Sequence, residues 1–407
     1  MKASYLVITS NYWPEPTGIS IYTTDLAENL RAEGHRVSVL TSLPHYPWWK
    51  IPTEFAHLGE GVTTHNGVEV FRVKHFVPLQ INALLRMRFE YSLWWNLRRA
   101  SMRFKDNKFD AVIACIPTVA AGLIGSKIAK KVGAPFGLIV HDLSGVGAKQ
   151  SGILGGSLIS KIAKIVEGNA LHRADSLVIV SPAMRDVVVE LGVESNRVNQ
   201  IFNYAARSIH PVDKLNAREK FGWASDEFVI IHTGNIGAKQ NLENVVESQN
   251  YLQSDSKIKI YLVGHGNQEF KLKKLCKSSK HITMLPIVSD EEYSDLLAAA
   301  DLLLVNERKT QMDMSLPSKL TSYLFSERPV LAAVPRGGAT WKFLDGIAEL
   351  VEAGDPAALA RKIEELSNQP KRLAELARLG KRFADTNLSP EIGRKKYLNW
   401  VEGLFER

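Results

Sequence analysis

Two doubly wound α/β domains are the fold class that this sequence predicts, on three observations. The chain has 407 residues, beyond the size at which a single hydrophobic core keeps growing. Short apolar, β-branched runs alternate with helical patterns along nearly all of it, as parallel strands covered on both faces require. The alternation comes in two successive series, parted where the strand rhythm pauses and Pro211 interrupts it, so two sheets are expected.

The first series reads "YLVIT" (5–9), "RVSVLT" (36–41), "VEVFRV" (68–73), "DAVIACI" (110–116), "FGLIVHD" (136–142), "SLVIVS" (176–181) and "VNQIF" (198–202). The second reads "FVIIHTG" (228–234), "IKIYLVG" (258–264), "HITMLPIV" (281–288), "DLLLVNE" (301–307), "PVLAAV" (329–334) and "AELVEA" (348–353). The expected domains are 1–208 and 209–387. The tail, 388–407, reads as a helix with Ser389 as N-cap and Pro390 at its first helical position. Its Trp400 and Phe405 need a surface, and the first domain is expected to supply it.

Composition is that of an ordinary globular protein, 45% hydrophobic and 23% charged. Two distant cysteines, Cys115 and Cys276, give neither a disulfide framework nor a Cys-x-x-Cys metal site, which points to a reducing compartment. No signal-peptide pattern precedes the first strand, and no apolar run reaches the roughly 18 residues of a membrane span. The expected location is cytoplasmic. Of the net charge of +8, residues 72–108 hold nine Lys or Arg against Glu90 and Asp106, a local excess of +7. One anionic partner surface is therefore expected on that stretch.

The same stretch carries Trp94 and Trp95 among aliphatic residues, flanked by Arg86, Arg88, Arg98 and Arg99; "HYPWWKIP" (45–52) adds Trp48 and Trp49. A basic amphipathic helix of this kind lies in the headgroup layer of an anionic membrane. The plain alternative is a helix buried in the first domain with its arginines reaching outward. Tryptophans embedded in aliphatics suit lipid headgroups better than a nucleic-acid backbone, so no nucleic-acid partner is expected.

In doubly wound sheets, ligands bind beyond the carboxyl ends of the strands, so the residues after each strand are the candidates for chemistry. Gly18 lies where "NYWPEPTGISIYTTDLAENL" turns from strand to helix, a place suited to an anion; a plain turn explains it equally well. His141 and Asp142 end an otherwise apolar strand, where a histidine can hold a sugar hydroxyl or move a proton. "HTGNIGAKQNLENV" (232–245) places Gly234 and Lys239 before a helix capped near Asn241, which suits a diphosphate. "LVGHGNQ" adds Gly264 and Gly266, compatible with a nucleotide in close approach. Lys319 follows Pro317 at a helix start and is the best candidate for neutralising a phosphate; an ordinary solvated lysine is the competing reading. Asp313 is a weaker candidate for a sugar hydroxyl.

Taken in order, "PEPTGISIYTTDLAENLRAEGHRVSVLT", "HD", "GNIGAKQNLENV", "LVGHG" and "LPSKLTSYL" resemble the retaining glycosyltransferases of family 4, nearly over the full chain. The likeness is to the bacterial colanic-acid and exopolysaccharide branch. It implies the GT-B fold, two Rossmann-like domains facing a cleft with a C-terminal helix crossing back to the first. It also implies a GDP- or UDP-sugar donor (GDP-fucose as first guess) in the second domain, a lipid-linked saccharide acceptor in the first, and retained configuration. No metal and no cofactor is implied. Membership further implies work on the cytoplasmic face of the inner membrane.

By position, the resemblance implies that the Gly18 loop approaches the diphosphate and that His141, with Asp142, meets the donor sugar. The turn Asn235–Gln240, with Ser318 and Lys319, would hold the leaving diphosphate, and Leu285, Pro286 and Ile287 would meet the base. Two motifs depart from the family's pattern. Asn235 stands for the usual arginine, and Gln240 for the usual lysine, with Lys239 just before it. The usual Glu-x7-Glu pair is matched by Met314 and Ser322. A nucleotide-sugar 2-epimerase of the same fold and a non-catalytic nucleotide-sugar-binding protein are the alternative functions.

Overall fold

The computed structural model describes every residue except 1, 17, 79–82, 105, 144–164, 166, 205–208, 311–313, 315, 406 and 407. The chain divides into two compact units, Met1–Asn203 with Glu391–Arg407, and Tyr204–Pro390. The break thus comes at 203/204, a few residues before the expected 208/209.

The first unit is built on β1 (Ser4–Ile8), β2 (Arg36–Ser42), β3 (Gly61–His65), β4 (Val68–Val73), β5 (Ala111–Ile116), β6 (Phe136–Val140), β7 (Ser176–Ile179) and β8 (Val198–Gln200). They form one sheet in the order β3-β4-β2-β1-β5-β6-β7-β8, parallel except where β3 runs against β4. That edge strand is absent from the sequence reading because "GVTTH" alternates inward and outward and lacks an apolar run. Its signal was Asn66–Gly67, both at positive φ (47° and 76°), the pair that a tight hairpin turn favours.

The second unit holds β9 (Phe228–Asn235), β10 (Ile258–His265), β11 (Ile282–Leu285), β12 (Leu302–Asn306), β13 (Val330–Val334) and β14 (Glu349–Glu352). Their order is β11-β10-β9-β12-β13-β14, with every pairing parallel. Four expected strands end two or more residues early: β6 stops at Val140, β7 at Ile179, β8 at Gln200 and β11 at Leu285, the last of which leaves Pro286 and Ile287 in a loop. Strand order reverses between β1 and β5 in one sheet and between β9 and β12 in the other. These switch points are where helices leave to opposite faces and a crevice opens.

The helix Pro390–Glu402 follows Ser389, with Pro390 at its start. It belongs to the first unit. Trp400 donates from Nε1 to Ser176 Oγ at 2.9 Å, and its ring covers Gly137, where a Cβ would come within 2.8 Å of it. Arg394 grips Asp25 through Nε at 3.0 Å, and Phe405 lies 5.9 Å from the Tyr5 ring. Buried aromatic area and one satisfied indole N–H hold the helix.

The helix Ala83–Ser101 corresponds to the basic stretch and is apolar on two sides. Phe89, Leu93 and Leu97, one turn apart, are buried, whereas Leu84, Met87, Tyr91 and Trp95 on the other side are exposed. Arg88, Arg98 and Arg99 flank the exposed stripe. One face of this helix is core, and the opposite face carries arginines and aromatics. Trp49 reaches this helix, 6.1 Å from Phe89, and Trp48 packs on Phe55. Arg72 does not belong to the surface charge: it is buried, donating to Thr63 and, at 2.8 Å, to the Trp13 carbonyl. Among the described residues no helix is long and apolar enough to cross a membrane.

Trp400→Ala should cost the first unit about 3–5 kcal/mol, the usual range for deleting a buried large aromatic. Denaturant unfolding followed by tryptophan-independent far-UV signal should show that transition moving while the second unit's stays in place.

Candidate functional site

In the first unit the turn after β1 is held from within. Glu15 is buried, its Oε1 accepts the amides of His45 and Tyr46 at 2.8 and 2.9 Å, and its Oε2 accepts Asn11 Nδ2 at 2.8 Å. Burial nevertheless wins over these bonds and pushes the carboxyl up to about 7. The clamp lays the Tyr46 ring over Gly18, where a Cβ would come within 3.0 Å of Cε1. Gly18 is the N-cap of the helix Ile19–Ala32, at φ 71°. Its lack of a side chain is therefore demanded by the backbone angle and by Tyr46, apart from any ligand.

At the carboxyl ends of β5, β6 and β7, polar side chains are buried without partners among the described residues. Thr118 Oγ1, His141 Nδ1 and Ser181 Oγ are such atoms, and Asn203 Oδ1, just past β8, is another. Burial pushes the His141 imidazole down to about 4, with the Asn203 amide working the other way. It is neutral at physiological pH, lies 5.7 Å from the Tyr22 ring, and is less open than its strand-end position suggested. Asp142 is exposed and accepts the Leu143 amide at 2.8 Å. Buried polar atoms without partners are rare and call for an occupant.

The second unit's switch point carries the tighter constellation. β9 and β12 pair at Ile230–Leu302 and Ile231–Leu303. Beyond that, side chains take over: His232 Nδ1 lies 3.0 Å from the Leu304 carbonyl, and Thr233 N–H donates to Tyr323 Oη at 2.7 Å. A carbonyl only accepts, so Nδ1 carries the proton and Nε2 presents a lone pair. Lys319 Nζ sits 3.0 Å from that Nε2. Lys319 begins the helix Lys319–Phe325, and Tyr323 lies one turn later on the same face. Burial pushes the Lys319 ammonium down to about 7, with Glu307 countering it. His232 lies well below its ordinary value, through burial first and the lysine charge second.

Gly234, at φ 109°, faces Lys319: a Cβ there would stand 3.4 Å from Nζ. The turn that follows is pinned by Asn306, at the end of β12. Its Nδ2 donates to the carbonyls of Gln240 and Asn241, and its Oδ1 accepts Asn244 Nδ2 at 2.9 Å. The next helix, Glu243–Ser248, has Leu242 rather than Asn241 at its N-cap, and no side chain caps it. Asn241 instead takes a positive φ of 45° and serves the turn through its carbonyl. Asn235 is exposed, with Nδ2 3.5 Å from Gln240 Oε1, and Lys239 is exposed beside them.

Gly264 and Gly266 have a different reason from the one read in the sequence. A Cβ on Gly264 would collide with the Gly234 carbonyl, and one on Gly266 with the Ile236 carbonyl. What approaches these glycines closely is the backbone of β9 and its turn. Leu285 ends the edge strand β11, Pro286 and Ile287 are exposed after it, and Ser318 is exposed at the N-cap of the lysine's helix. Met314 and Ser322 are both buried. Asp313 lies outside the described residues.

Sequence reasoning passed over His232, Asn306 and Tyr323. Each was visible as a polar interruption, in "VIIHTG", "LLLVNE" and "LTSYLF", but only pairing across strands shows what each one holds. Chemically, the second unit offers a cation to an anion, and the first offers hydroxyl and imidazole groups to a polar ligand. Among the described residues no three His, Cys, Asp or Glu side chains converge to hold a metal ion.

Residues 17–203 match the model of the glycosyl transferase 4-like domain, and residues 213–383 that of glycosyl transferases group 1. The chain belongs to glycosyltransferase family 4. This glycosyltransferase is 29% identical over 418 aligned residues to WcaI of Escherichia coli (strain K12), described as a colanic acid biosynthesis glycosyl transferase. The match covers 98% of this chain and 99% of WcaI, placing the enzyme near the colanic-acid branch. Among solved structures, HepE of Anabaena in complex with UDP is similar at 15% identity with TM-score 0.73, covering 98% of this chain and 100% of that one. HepE has also been solved with UDP-glucose, at TM-score 0.68, with 98% and 99% covered at 16% identity. Sucrose-phosphate synthase from Thermosynechococcus elongatus gives TM-score 0.74 at 16% identity, with 99% of each chain covered. At these identities the structural likeness establishes the fold, GT-B.

Burial holds Lys319 at about 7 against an ordinary 10.5, so between those values the unfolded chain binds more protons and the fold gains stability as pH rises. Lys319→Met removes a partly buried charge. Its second unit should melt at a higher temperature than wild type at pH 7, with the difference shrinking toward pH 10. Calorimetric melts across that range check the sign.

Proposed function

We propose that the enzyme transfers a sugar from a nucleoside-diphosphate donor to a lipid-linked saccharide, with retention of configuration and without a metal, in the synthesis of an exopolysaccharide or cell-surface glycan. The observation that carries this is Lys319 Nζ beside Gly234, at the switch point of the second unit. HepE, solved with UDP and with UDP-glucose, supports a nucleotide-sugar donor. The base is guanine or uracil, held near Leu285–Ile287, and GDP-fucose is the first donor to try.

In the reaction, the bond from the anomeric carbon to the diphosphate oxygen breaks, and its electron pair leaves with the phosphate. Lys319 and the amides of the Asn235–Gln240 turn stabilise that charge; preorganised donors of this kind are usually a large part of catalysis. The acceptor hydroxyl oxygen bonds to the same face of the anomeric carbon, and its proton passes to the departing phosphate. No enzymic nucleophile is needed. His141, neutral and with Nδ1 unpartnered, is suited to a sugar hydroxyl in the first unit, as are Thr118 and Ser181.

Calorimetric titration of the purified protein with GDP, UDP and their sugars, without added metal, tests the donor. One nucleotide should saturate a single site, and Lys319→Met should bind it at least ten-fold more weakly, the scale of a lost charge-assisted hydrogen bond. No binding by any of them overturns this reading.

The exposed stripe Leu84, Met87, Tyr91 and Trp95 with Arg88, Arg98 and Arg99 supports peripheral attachment to the anionic cytoplasmic face of the inner membrane, where the acceptor lipid is anchored. Binding to vesicles should rise with their content of anionic lipid. It should weaken on Arg98→Gln/Arg99→Gln, at about 1 kcal/mol per arginine; sedimentation that ignores both changes removes the membrane from the function.

A further inference from the structure

We infer that His232 is a positioning residue for Lys319, holding the ammonium toward the Gly234 turn through a lone pair whose direction the Leu304 carbonyl dictates. The inference rests on the donor reading above and deepens it. His232 is wholly buried in the middle of the second unit. Its two nitrogens have two different duties, fixed by geometry: Nδ1–H toward Leu304 O at 3.0 Å, and Nε2 toward Lys319 Nζ at 3.0 Å. The imidazole cannot take a second proton without setting a cation against the lysine, so it stays neutral and an acceptor. A neutral acceptor stabilises the ammonium without neutralising it, unlike a carboxylate, which would compete with a bound phosphate for the same charge.

The remaining neighbours fit that arrangement. Tyr323 Oη accepts the Thr233 amide at 2.7 Å, and Tyr293 Oη lies 3.2 Å from Thr233 Oγ1, which sets the helix against β9. Glu307 is the carboxylate whose field reaches Lys319, and Thr340 Oγ1 donates to it at 2.7 Å. Lys319, one turn before Tyr323, therefore has its backbone located by the tyrosine and its ammonium aimed by the histidine. A diphosphate binds the ammonium and not the amine, so binding of the nucleotide should weaken as Lys319 loses its proton. Losing the acceptor should move that loss to lower pH, because the lone pair favours the charged form.

Two substitutions separate the duties of the ring. His232→Asn keeps a donor near the position of Nδ1 for Leu304 and has no atom at the position of Nε2. His232→Gln reaches that position with an amide oxygen. Affinity for GDP and UDP is measured by calorimetry from pH 6 to about 9, the span around the lysine's titration, on wild type and both variants, with thermal melts alongside. The expected result is a wild-type affinity that falls with rising pH. His232→Asn should bind about ten- to hundred-fold more weakly at neutral pH, with its pH midpoint moved down, and His232→Gln should recover most of both.

An Asn variant that matches wild type in affinity and midpoint overturns the inference while leaving the donor reading intact. So does a pair of variants that lose affinity equally, with the midpoint unmoved, since that is the mark of a structural role. If the Asn variant fails to fold, His232→Ser, which also has no atom at the position of Nε2, takes its place: a lowered midpoint supports the inference, and a wild-type one overturns it. Failure of wild type to bind either nucleotide overturns the donor reading, and the inference with it.

Discussion

Where two neighbouring parallel strands part, the ladder between them stops, and its next donor and acceptor need other partners inside a dry core. Between β9 and β12 that happens after the second residue pair. The Leu304 carbonyl and the Thr233 amide are the groups left over, and they are met by an imidazole and a phenol. The imidazole, once its Nδ1 is committed, can only accept at Nε2, and a lysine is the partner found there. The phenol sits four residues after that lysine, one helical turn along the same face. Glycine follows at 234 because the backbone turns there at φ 109°, and at 264 and 266 because the turn folds back onto β10. A break in one ladder thus accounts for the identities of His232, Tyr323 and the lysine between them at the mouth of the sheet.

The first unit has the same strand order about β1 and β5 but deals with its crevice differently. Its loop after β1 is held by a buried carboxylate that collects two amides and an asparagine, a clamp made within the protein. The ends of β5, β6 and β7 are then left with hydroxyls and an imidazole that nothing described satisfies. The second unit closes its polar groups on one another and leaves a cation; the first leaves neutral donors and acceptors. A charged ligand group and a hydroxyl-rich one are the respective complements of these two surfaces.

Much of this was legible in the sequence, for a definite reason. Strands buried on both faces are continuous apolar runs, so their positions can be read without knowing their neighbours, and the ordered motifs carried the family. What was not legible depends on pairing. His232 looks like any polar residue near a strand end until β12 is known to diverge beside it. Gly264 and Gly266 look like nucleotide glycines until the carbonyls of Gly234 and Ile236 are placed against them. Arg72 counts as surface charge until Thr63 and Trp13 are found around its guanidinium. The edge strand β3 is solvated on one face and gives only a weak alternation. For the histidine, the two glycines and the arginine the missing information was a contact with a residue elsewhere in the chain.

A lysine in this position is a burden to the free protein. Burial opposes its charge, and the neutral imidazole only partly replaces the water it has lost. Packing alone would be better served by methionine or leucine. The burden reverses when an anion arrives, because the same low dielectric that penalises the lone cation strengthens its attraction to a phosphate. Folding stability and affinity are therefore set against each other at one atom. A ligand that binds only the folded state returns stability in proportion to the logarithm of its concentration over its dissociation constant. The second unit should consequently be least stable when empty and gain most from the nucleotide, as expected of a site whose electrostatics are arranged for its ligand rather than for its fold.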